Sequence, residues 1–306
     1  MAVATGIREQ IGIIAEETIG TTPASPAFQL IETTGFTINP TKEVIQDNRL
    51  GNRNRRCNKH GNKSVAGDLP LLLVYGAYDN LIEAAFCGTW DNDELVNGVT
   101  RRGFTIARNN PELGANSWRY YKGVEFNTMA LELTQNDNVS LTFGVIGVDS
   151  DKPQAALAGQ TLLPAVTDCA FDYKHGSLLV GGVARAQATA FTINIENGIE
   201  ASYVLFSDVT GAKPIGKFDV TGNITMQFDS VADYNHFIDA DKVAIVLTLQ
   251  DAATGGNEYE LTIPKAMFNT ANTDTSGEGE ISISLDFAAE YDSGIDGTLQ
   301  LVRTPA

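Results

Sequence analysis

The chain has 306 residues, of which 43% are hydrophobic and 19% charged, a balance typical of a folded protein rather than a disordered one. Its formal net charge of −17 argues against nucleic acid as a bound ligand, because a duplex binder needs concentrated cationic surface. No segment approaches the roughly 20 apolar residues of a membrane-spanning helix, so we expect no membrane insertion. The cysteines Cys57, Cys87 and Cys169 are widely spaced and odd in number, which argues against a disulfide framework.

The negative charge is concentrated in the second half of the chain. Residues 190–306 hold five Lys or Arg and eighteen Asp or Glu, a net charge of −13, whereas residues 1–189 carry −4. Two halves of unequal charge indicate a protein that contacts copies of itself. The alternative is that each half is simply solvated.

A cationic segment lies within the first half. Six of the fifteen residues from 49 to 63 are Lys or Arg, and Gly and Asn separate them. This composition predicts a long polar loop over about residues 45–65 rather than a strand. We predict that the loop carries positive charge to the acidic half of another copy; the alternative is a solvated loop. The predicted contact residues between copies are Arg49, Arg53, Arg55, Arg56, Lys59 and Lys63.

Much of the remaining chain alternates apolar and polar residues, which predicts strands with one buried face, as in antiparallel sheets. The clearest alternation lies at 191–195, 220–228, 259–263 and 281–287. Helices are predicted at Tyr78–Phe86 and at Ser230–Ala240, where Ser230 can cap the first turn. The Gly- and Asn-rich stretch Gly88–Asn116 predicts a loop.

Short motifs recur in the same order in the two halves. Phe36-Thr37-Ile38-Asn39 returns 155 residues later at 191–194, and Phe126-Asn127-Thr128 returns 142 residues later at 268–270. The order predicts a mainly β chain with two tandem β-sandwich or partly closed barrel modules, each with one short flanking helix. The predicted organisation is an N-terminal arm and first strand region at 1–35, a first module at 36–150, a connecting region at 151–189 and a second module at 190–306.

The sequence carries no constellation for catalysis or metal binding. The histidines His60, His175 and His236 have no second His or Cys at ligand spacing. Nucleophile-elbow, phosphate-loop and zinc-protease motifs are absent from the sequence. Acidic composition accounts for the carboxylate pairs Asp239/Asp241 and Glu258/Glu260. We therefore expect no enzymatic activity, no metal and no cofactor.

The N-terminal sequence resembles the start of a known family. Residues 19–28 (IGTTPASPAF) and 32–36 (ETTGF), followed by the polar segment 45–63, resemble tail tube proteins, or major tail proteins, of long-tailed, siphovirus-type bacteriophages. That family implies a β-sandwich subunit with a flanking helix, whose rings stack into a hollow tube for genome passage. With a duplicated fold, the resemblance implies a trimeric ring with pseudo-sixfold symmetry. A hexamer is the alternative if the second half is a decoration domain.

The resemblance also implies partners and a location. The partners are further copies of the chain and the tail tip or baseplate, tape measure and tail terminator proteins. The location is the virion tail, with assembly in the host cytoplasm, as expected for a chain whose N-terminus does not read as a secretory signal. DNA would pass through the lumen without sequence-specific binding. We predict that small polar and acidic strand positions face this lumen, namely Ser140, Thr142, Ser282, Ser284 and Asp286.

Two other functions fit a β-rich chain without a catalytic motif. An extracellular β-sandwich binding module, such as an adhesin or carbohydrate binder, would need clustered exposed aromatics, for which Trp90 and Trp118 are candidates. A distal-tail or hub component of a phage tail would share the tube fold.

Overall fold

The computed structural model describes residues 3–51, 53–54, 57–252, 255–275 and 278–306. Strands dominate these residues, which confirms the predicted mainly β fold class. The two α-helices in this part of the chain confirm the helices predicted near residues 78–86 and 230–240. Neither these nor the two short 3-10 helices at Gly6–Arg8 and Pro111–Leu113 are long and apolar enough to cross a membrane.

The strands and helices follow one another in an order that separates the chain into two similar halves. In the first half they are β1 (Gln10–Glu16), β2 (Ala27–Ile31), β3 (Asn39–Gln46), β4 (Asn58–Leu72), α1 (Asp79–Ala85), β5 (Glu94–Val96), β6 (Gly103–Asn109), β7 (Trp118–Thr134), β8 (Ser140–Gly147) and β9 (Asp149–Ser150). In the predicted connecting region they are β10 (Thr161–Leu163), β11 (Gly176–Val180) and β12 (Val183–Ala184). In the second half they are β13 (Ala188–Glu196), β14 (Asp219–Gln227), α2 (Ala232–Ile238), β15 (Lys242–Gln250), β16 (Glu258–Asp274), β17 (Ser282–Ala289) and β18 (Gln300–Thr304).

Alternating burial explains why these segments form strands. In β8, Leu141, Phe143 and Val145 are buried, while the residues between them are partly exposed. The buried rings pack on one another: the centroids of Phe126 and Phe143 lie 5.0 Å apart, and those of Phe104 and Phe126 lie 5.4 Å apart. Removal of this apolar surface from water is the main favourable contribution to folding.

A single antiparallel sheet runs through both halves. Seven of the described strands form it, in the order β4–β8–β7–β13–β14–β17–β16, and we call it the central sheet. The pairing of β7 with β13 joins the first half to the second. The two halves therefore share one continuous hydrogen-bonded sheet.

The two long strands β7 and β16 continue beyond the central sheet into further strands. Residues 118–124 of β7 pair with β6, which leads through β1 and β2 to β10. Residues 258–267 of β16 pair with β15, which leads to β11 and β12. On its other side, β16 pairs with β18, and β18 with β5. The sheets remain open rather than closing into barrels.

The recurring sequence motifs occupy matching places in the two halves. Asn39 faces Ala66, and 155 residues later Asn194 faces Thr221. The Phe-Asn-Thr motif forms a β-bulge in both copies: the pairing shifts between Phe126 and Thr128 of β7, and between Phe268 and Thr270 of β16. The strand pairing at these landmarks is thus the same in both halves.

Two segments differ from the sequence prediction, and a third contains strands that the prediction did not specify. Residues 58–63, predicted as loop, belong to β4 and form a hairpin with β3. Both faces of this two-stranded ribbon are exposed, so polar residues occupy both and no alternation marks it. The predicted loop 88–116 contains β6, which is buried almost continuously and therefore lacks alternation as well. The predicted connecting region 151–189 contributes β10, β11 and β12 to sheets.

The end of β13 is fastened to the first half by Asn197, whose exposed fraction is 1%. Its side-chain amide donates to the carbonyl oxygens of Ala85 (2.8 Å) and Phe126 (3.0 Å). The bulge residue Asn127 completes the contact, because its backbone oxygen accepts from the Asn197 N–H (2.8 Å) and its side-chain oxygen from the Ile199 N–H (2.6 Å). These bonds satisfy backbone groups that the bulge leaves outside the regular ladder.

A buried ion pair lies at the same contact between the two halves, which we call the internal joint. The side chains of Glu125 and Lys213 are each 3% exposed, and their charged atoms lie 2.5 Å apart. Arg101 donates two hydrogen bonds of 2.8 Å to the same carboxylate, and Lys213 also donates to the Ile146 oxygen (3.2 Å). Burial lowers the pKa of Lys213 from its usual value, while Glu125 opposes this shift by favouring the charged form.

A Glu125→Leu substitution should lower the free energy of unfolding by about 3–5 kcal/mol, because it leaves Lys213 charged and buried without its partner. The double variant Glu125→Leu/Lys213→Met should regain much of that loss, since both buried charges are removed. Urea unfolding followed by circular dichroism measures both. Equal stability of the single and double variants would contradict this account of the joint.

Hydrogen bonds between side chains link three neighbouring strands of the central sheet. Asp286 on β17 accepts from Thr270 on β16 (2.7 Å) and from Asn223 on β14 (2.6 Å). These two bonds, with that of Thr270 the larger cause, lower the pKa of Asp286 below its usual value. The folded chain therefore holds the ionised carboxylate more strongly than the unfolded chain does.

The pKa of Asp286 is lower in the folded chain than in the unfolded chain. Asp286 therefore stabilises the fold at pH values above its pKa in the unfolded chain, and this contribution is lost as the pH falls through its pKa in the folded chain. Between about pH 5 and pH 3, the unfolding free energy of the natural chain should fall more steeply than that of an Asp286→Asn variant. Urea unfolding at a series of pH values measures the two slopes. Parallel pH profiles would rule out this role for Asp286.

Candidate assembly surfaces

One face of the central sheet is lined by small polar side chains. The strand register aligns its positions in rows, one of which runs Ser140, Glu132, Thr192, Asn223, Asp286 and Thr270, and another Thr142, Ala130, Asn194, Thr221 and Ala288. The opposite face carries the core residues, such as Leu131, Phe191 and Ile193. We call the side that carries these rows the polar face.

The polar face is anionic. It carries the carboxylates Asp68, Glu132, Glu196, Asp219 and Asp286, and none of the positions that its strand registers align on this side is Lys or Arg. The side chains of Glu132, Glu196, Asp68 and Asp219 are exposed. A surface of this kind repels phosphate rather than binding it.

All five positions predicted to line a lumen lie on the polar face: Ser140, Thr142, Ser282, Ser284 and Asp286. The structure adds residues of β13 and β14 that the sequence reasoning did not include, among them Thr192, Asn194 and Asn223. The sequence motif could have identified two of them, because Thr192 and Asn194 belong to the second copy of Phe-Thr-Ile-Asn.

The hairpin of β3 and β4 projects from the edge of the central sheet. Its residues 41–46 and 58–60 are exposed, and β4 pairs with β8 only from Val65 onward. Apolar side chains on this ribbon are left in water, including Val44, Ile45 and Leu50, with Leu50 99% exposed. We call residues 39–64 the arm. Exposed apolar side chains on a projecting ribbon are typical of a contact surface.

The six cations predicted as contacts of the arm do not share one environment. Arg53 and Lys59 are exposed. Arg49 donates to Asp47 (2.9 Å), and Lys63 is paired with Asp149 and donates to the Ser150 oxygen, so both already have partners in their own chain. Arg55 and Arg56 lie outside the described residues.

A second exposed apolar segment lies beside the base of the arm. Val204, Leu205 and Phe206 are consecutive and exposed, in the connection between β13 and β14. The same connection contacts the arm, because the Lys63 N–H donates to the Asp208 oxygen (2.7 Å) and the Tyr203 hydroxyl to the Lys63 oxygen (3.3 Å). Sequence reasoning missed this segment, since three apolar residues in a row do not reveal whether they are buried.

The two tryptophans do not form an exposed aromatic platform. Trp118 is only 8% exposed and stacks on Tyr120 with centroids 6.1 Å apart. Trp90 is partly buried beneath the Arg303 guanidinium, which lies 4.6 Å from the centre of its ring. A carbohydrate-binding site built on these two residues is therefore not supported.

Ion pairs hold several titratable side chains near a cavity of about 520 Å³. His175 lies 2.9 Å from Asp172, and Arg185 lies 2.5 Å from Asp233; of these, Asp172, His175 and Arg185 line the cavity. His236 pairs with Asp241 in the same way (2.9 Å). In the described part of the chain, no three or more His, Cys, Asp or Glu side chains are arranged to hold a metal ion.

Comparison with known proteins agrees with this geometry. No curated protein matches the chain. The sequence profile of a family described as phage tail tube protein matches residues 6–289, which is nearly the whole chain and includes the central sheet, the arm and both helices. An extended β-sheet subunit with an anionic polar face agrees with a structural role in a virion tail. The chain belongs to the phage tail tube protein family.

Proposed function

We propose that copies of this chain close into rings around a channel, and that these rings stack into the tail tube through which the phage genome passes. The polar face of the central sheet carries this proposal. It is continuous across both halves and lined mainly by Thr, Ser, Asn and Ala. It carries carboxylates but no Lys or Arg at its aligned positions. A lumen with these properties gives DNA nothing to bind and repels its phosphates.

We propose a trimeric ring with pseudo-sixfold symmetry. Each chain supplies the same strand pairing twice, at Asn39–Ala66 and at Asn194–Thr221, so three chains supply six equivalent units. The bulges at Asn127 and Asn269 repeat in the same way. A cyclic contact closes a ring, whereas the separate contact between rings does not close and extends the tube.

The arm is proposed to make the contact between rings. It projects from the body of the subunit, exposes Leu50 and carries cations near its tip. Its proposed target is the second half of a subunit in the next ring, where residues 190–306 have a net charge of −13. Opposite charge on the two surfaces would orient the approaching ring. Arg53, Arg55, Arg56 and Lys59 are the proposed contacts, and Arg49 and Lys63 would hold the arm in its own subunit.

The further partners proposed for the tube are those at its ends and in its lumen: the tail tip or baseplate, the tail terminator and the tape measure protein. Assembly is proposed to occur in the host cytoplasm before release. A distal-tail or hub component is the second candidate function, because it would use the same fold to form a ring without extended stacking. The lengths of the assemblies distinguish the two.

Purified protein at about physiological ionic strength should form tubes or stacked discs in negative-stain electron microscopy, because the arm and the acidic half attract one another at short range. Rings that never stack would instead favour the hub function. Compact monomers at every concentration, including conditions seeded with tail tips, would exclude the proposed function.

Reversal of three arm charges, Arg53→Glu/Arg55→Glu/Arg56→Glu, should leave the fold and the ring intact and reduce sedimentable tubes at least tenfold. The matched control is Lys152→Glu/Lys174→Glu/Lys217→Glu, which changes the net charge equally at exposed positions outside the arm. Sedimentation and tube-length distributions measure both variants. Equal loss of tubes in the control would assign the effect to net charge, and normal tubes in the arm variant would remove the arm from the ring contact.

A further inference from the structure

The joint between β7 and β13 is a complete example of how two halves of this fold meet. Across it, Asn194 faces Ala130, Thr192 faces Glu132 and Glu196 faces Thr128. The Asn127 bulge of β7 then receives the N–H groups of Asn197 and Ile199. Every pairing in this joint lies between the second half and the first half of one chain.

The equivalent edges at the other ends of the chain are free. The counterpart of β13 is β3, which among the described residues pairs only with β4. The counterpart of residues 126–134 of β7 is residues 268–274 of β16, which in the described chain pair only with β17. Asn39, Thr41, Asn272 and Thr273 on these edges are all at least partly exposed. Unpaired edges of this length are templates for strand addition.

The backbone just before the arm sets the direction in which the N–H groups of β3 point. The Thr37 N–H donates to the Asp68 oxygen (3.1 Å). In an antiparallel pair, the N–H groups of every second residue along a strand point toward the same neighbour. The N–H of Ile38 is therefore directed away from β4, and within the described chain it donates to no backbone oxygen. Ile38 is nevertheless fully buried as a residue. Its own chain already covers it, so the part of this edge that is open to a partner strand begins at Asn39, and β3 is exposed along its whole length.

Two glycines indicate that β3 and β13 lie in equivalent places. A Cβ on Gly67 would overlap the Thr37 oxygen, and a Cβ on Gly222 would overlap the Thr192 oxygen. Gly222 follows Gly67 by 155 residues, and Thr192 follows Thr37 by the same number. On the opposite strand, the bulged pairings of β7 and β16 are separated by 142 residues. Application of these two offsets to the β7–β13 joint gives the register of the free edges.

We propose that β3 of one copy pairs antiparallel with residues 268–274 of β16 in a neighbouring copy, in the register of the internal joint. Asn39 then faces Asn272 of the neighbouring copy, and Thr41 faces its Thr270. This inference rests on the proposed ring and specifies the strands and the residue pairs that close it. The central sheet of each copy becomes one segment of a continuous wall.

The Asn269 bulge is a second element of the joint. Asn269 is exposed, and its side chain makes no hydrogen bond within the described chain, whereas its counterpart Asn127 accepts two bonds from the segment after β13. At the new joint, the Lys42 N–H takes the place of the Asn197 N–H and donates to the Asn269 oxygen. The bulge therefore fixes the register, because a shifted strand cannot reach it.

Pro40 limits which strands can add to this edge. It occupies the place of Ile195, and it lacks the N–H that an isoleucine would present, so the new joint has one hydrogen bond fewer than the internal one. A proline on a free edge discourages unspecific strand addition. The register-specific contact at Asn269 then selects the correct partner.

Disulfide crosslinking tests the register directly. In a Cys57→Ser/Cys169→Ser background, the variant Asn39→Cys/Asn272→Cys should crosslink copies upon mild oxidation of assembled rings. Residues in this kind of antiparallel pair have Cα atoms about 4.5 Å apart, which suits a disulfide. Because every joint in a ring is linked, the covalent ladder on a non-reducing gel should end at the number of copies in the ring, namely three.

Two control variants define the result. Ala130→Cys/Asn194→Cys has the same geometry at the internal joint and should form its disulfide within each chain. Thr41→Cys/Asn272→Cys is offset by two residues, and its crosslinking should be at least fivefold weaker. In unmodified protein, ring formation should also slow hydrogen exchange at residues 268–274 and 36–42.

The outcomes separate this inference from the proposed function. If rings form but Asn39→Cys/Asn272→Cys stays monomeric, or the offset pair crosslinks better, or exchange at 268–274 is unchanged, the register is wrong while the tube remains. If the unmodified protein forms no ring under any condition, the proposed function fails and the joint fails with it.

Discussion

Backbone hydrogen bonds between β7 and β13 hold the two halves of this chain in one sheet. Side chains alternate along a strand, so this register places Thr192 and Asn194 beside Glu132 and Ala130 and sends Phe191 and Ile193 into the core. A slip of one residue would exchange the two sets, exposing the apolar residues and burying the polar ones. The continuous polar face exists only because the pairing is held in place, and any assembly that uses this face inherits the same constraint.

The two halves repeat their strand pairing but not the contacts that surround it. Glu125, which is buried against Lys213 at the internal joint, corresponds to Met267 in the second half, as the pairings Glu125–Ile146 and Met267–Ala288 show. Asn197, which donates two bonds into the first half, corresponds to Lys42 on the arm. The internal joint therefore contains buried polar groups contributed by both halves of the same chain. The free edges lack these groups, which suits a contact that forms only when copies meet.

Much of this architecture could be predicted from the sequence, for identifiable physical reasons. Alternation at 281–287 predicted β17 because one face of that strand is buried and the other is not, and the two helices were readable from local patterns. Repetition of Phe-Thr-Ile-Asn marked the strands that approach Gly67 and Gly222 closely, and repetition of Phe-Asn-Thr marked the bulges at Asn127 and Asn269. The strands of the arm and β6 gave no alternation, since the former is exposed on both faces and the latter covered on both. That β7 would meet β13 was also hidden, because pairing between distant strands depends on which edges remain free and leaves no local signal.

The scarcity of positive charge on the polar face bears on how fast a genome could travel past it. In the proposed tube, carboxylates at Glu132, Glu196 and Asp219 would push the phosphates toward the middle of the bore, and short side chains such as Thr192 and Asn194 would offer the grooves of the duplex little to contact. In the proposed tube, the free energy of the duplex would then vary little with its position, and no contact would have to be broken before the next could be made. The speed of the DNA would be set by the driving pressure and by the viscous drag of water in the bore. Stepwise release of bound DNA from the wall would not limit it.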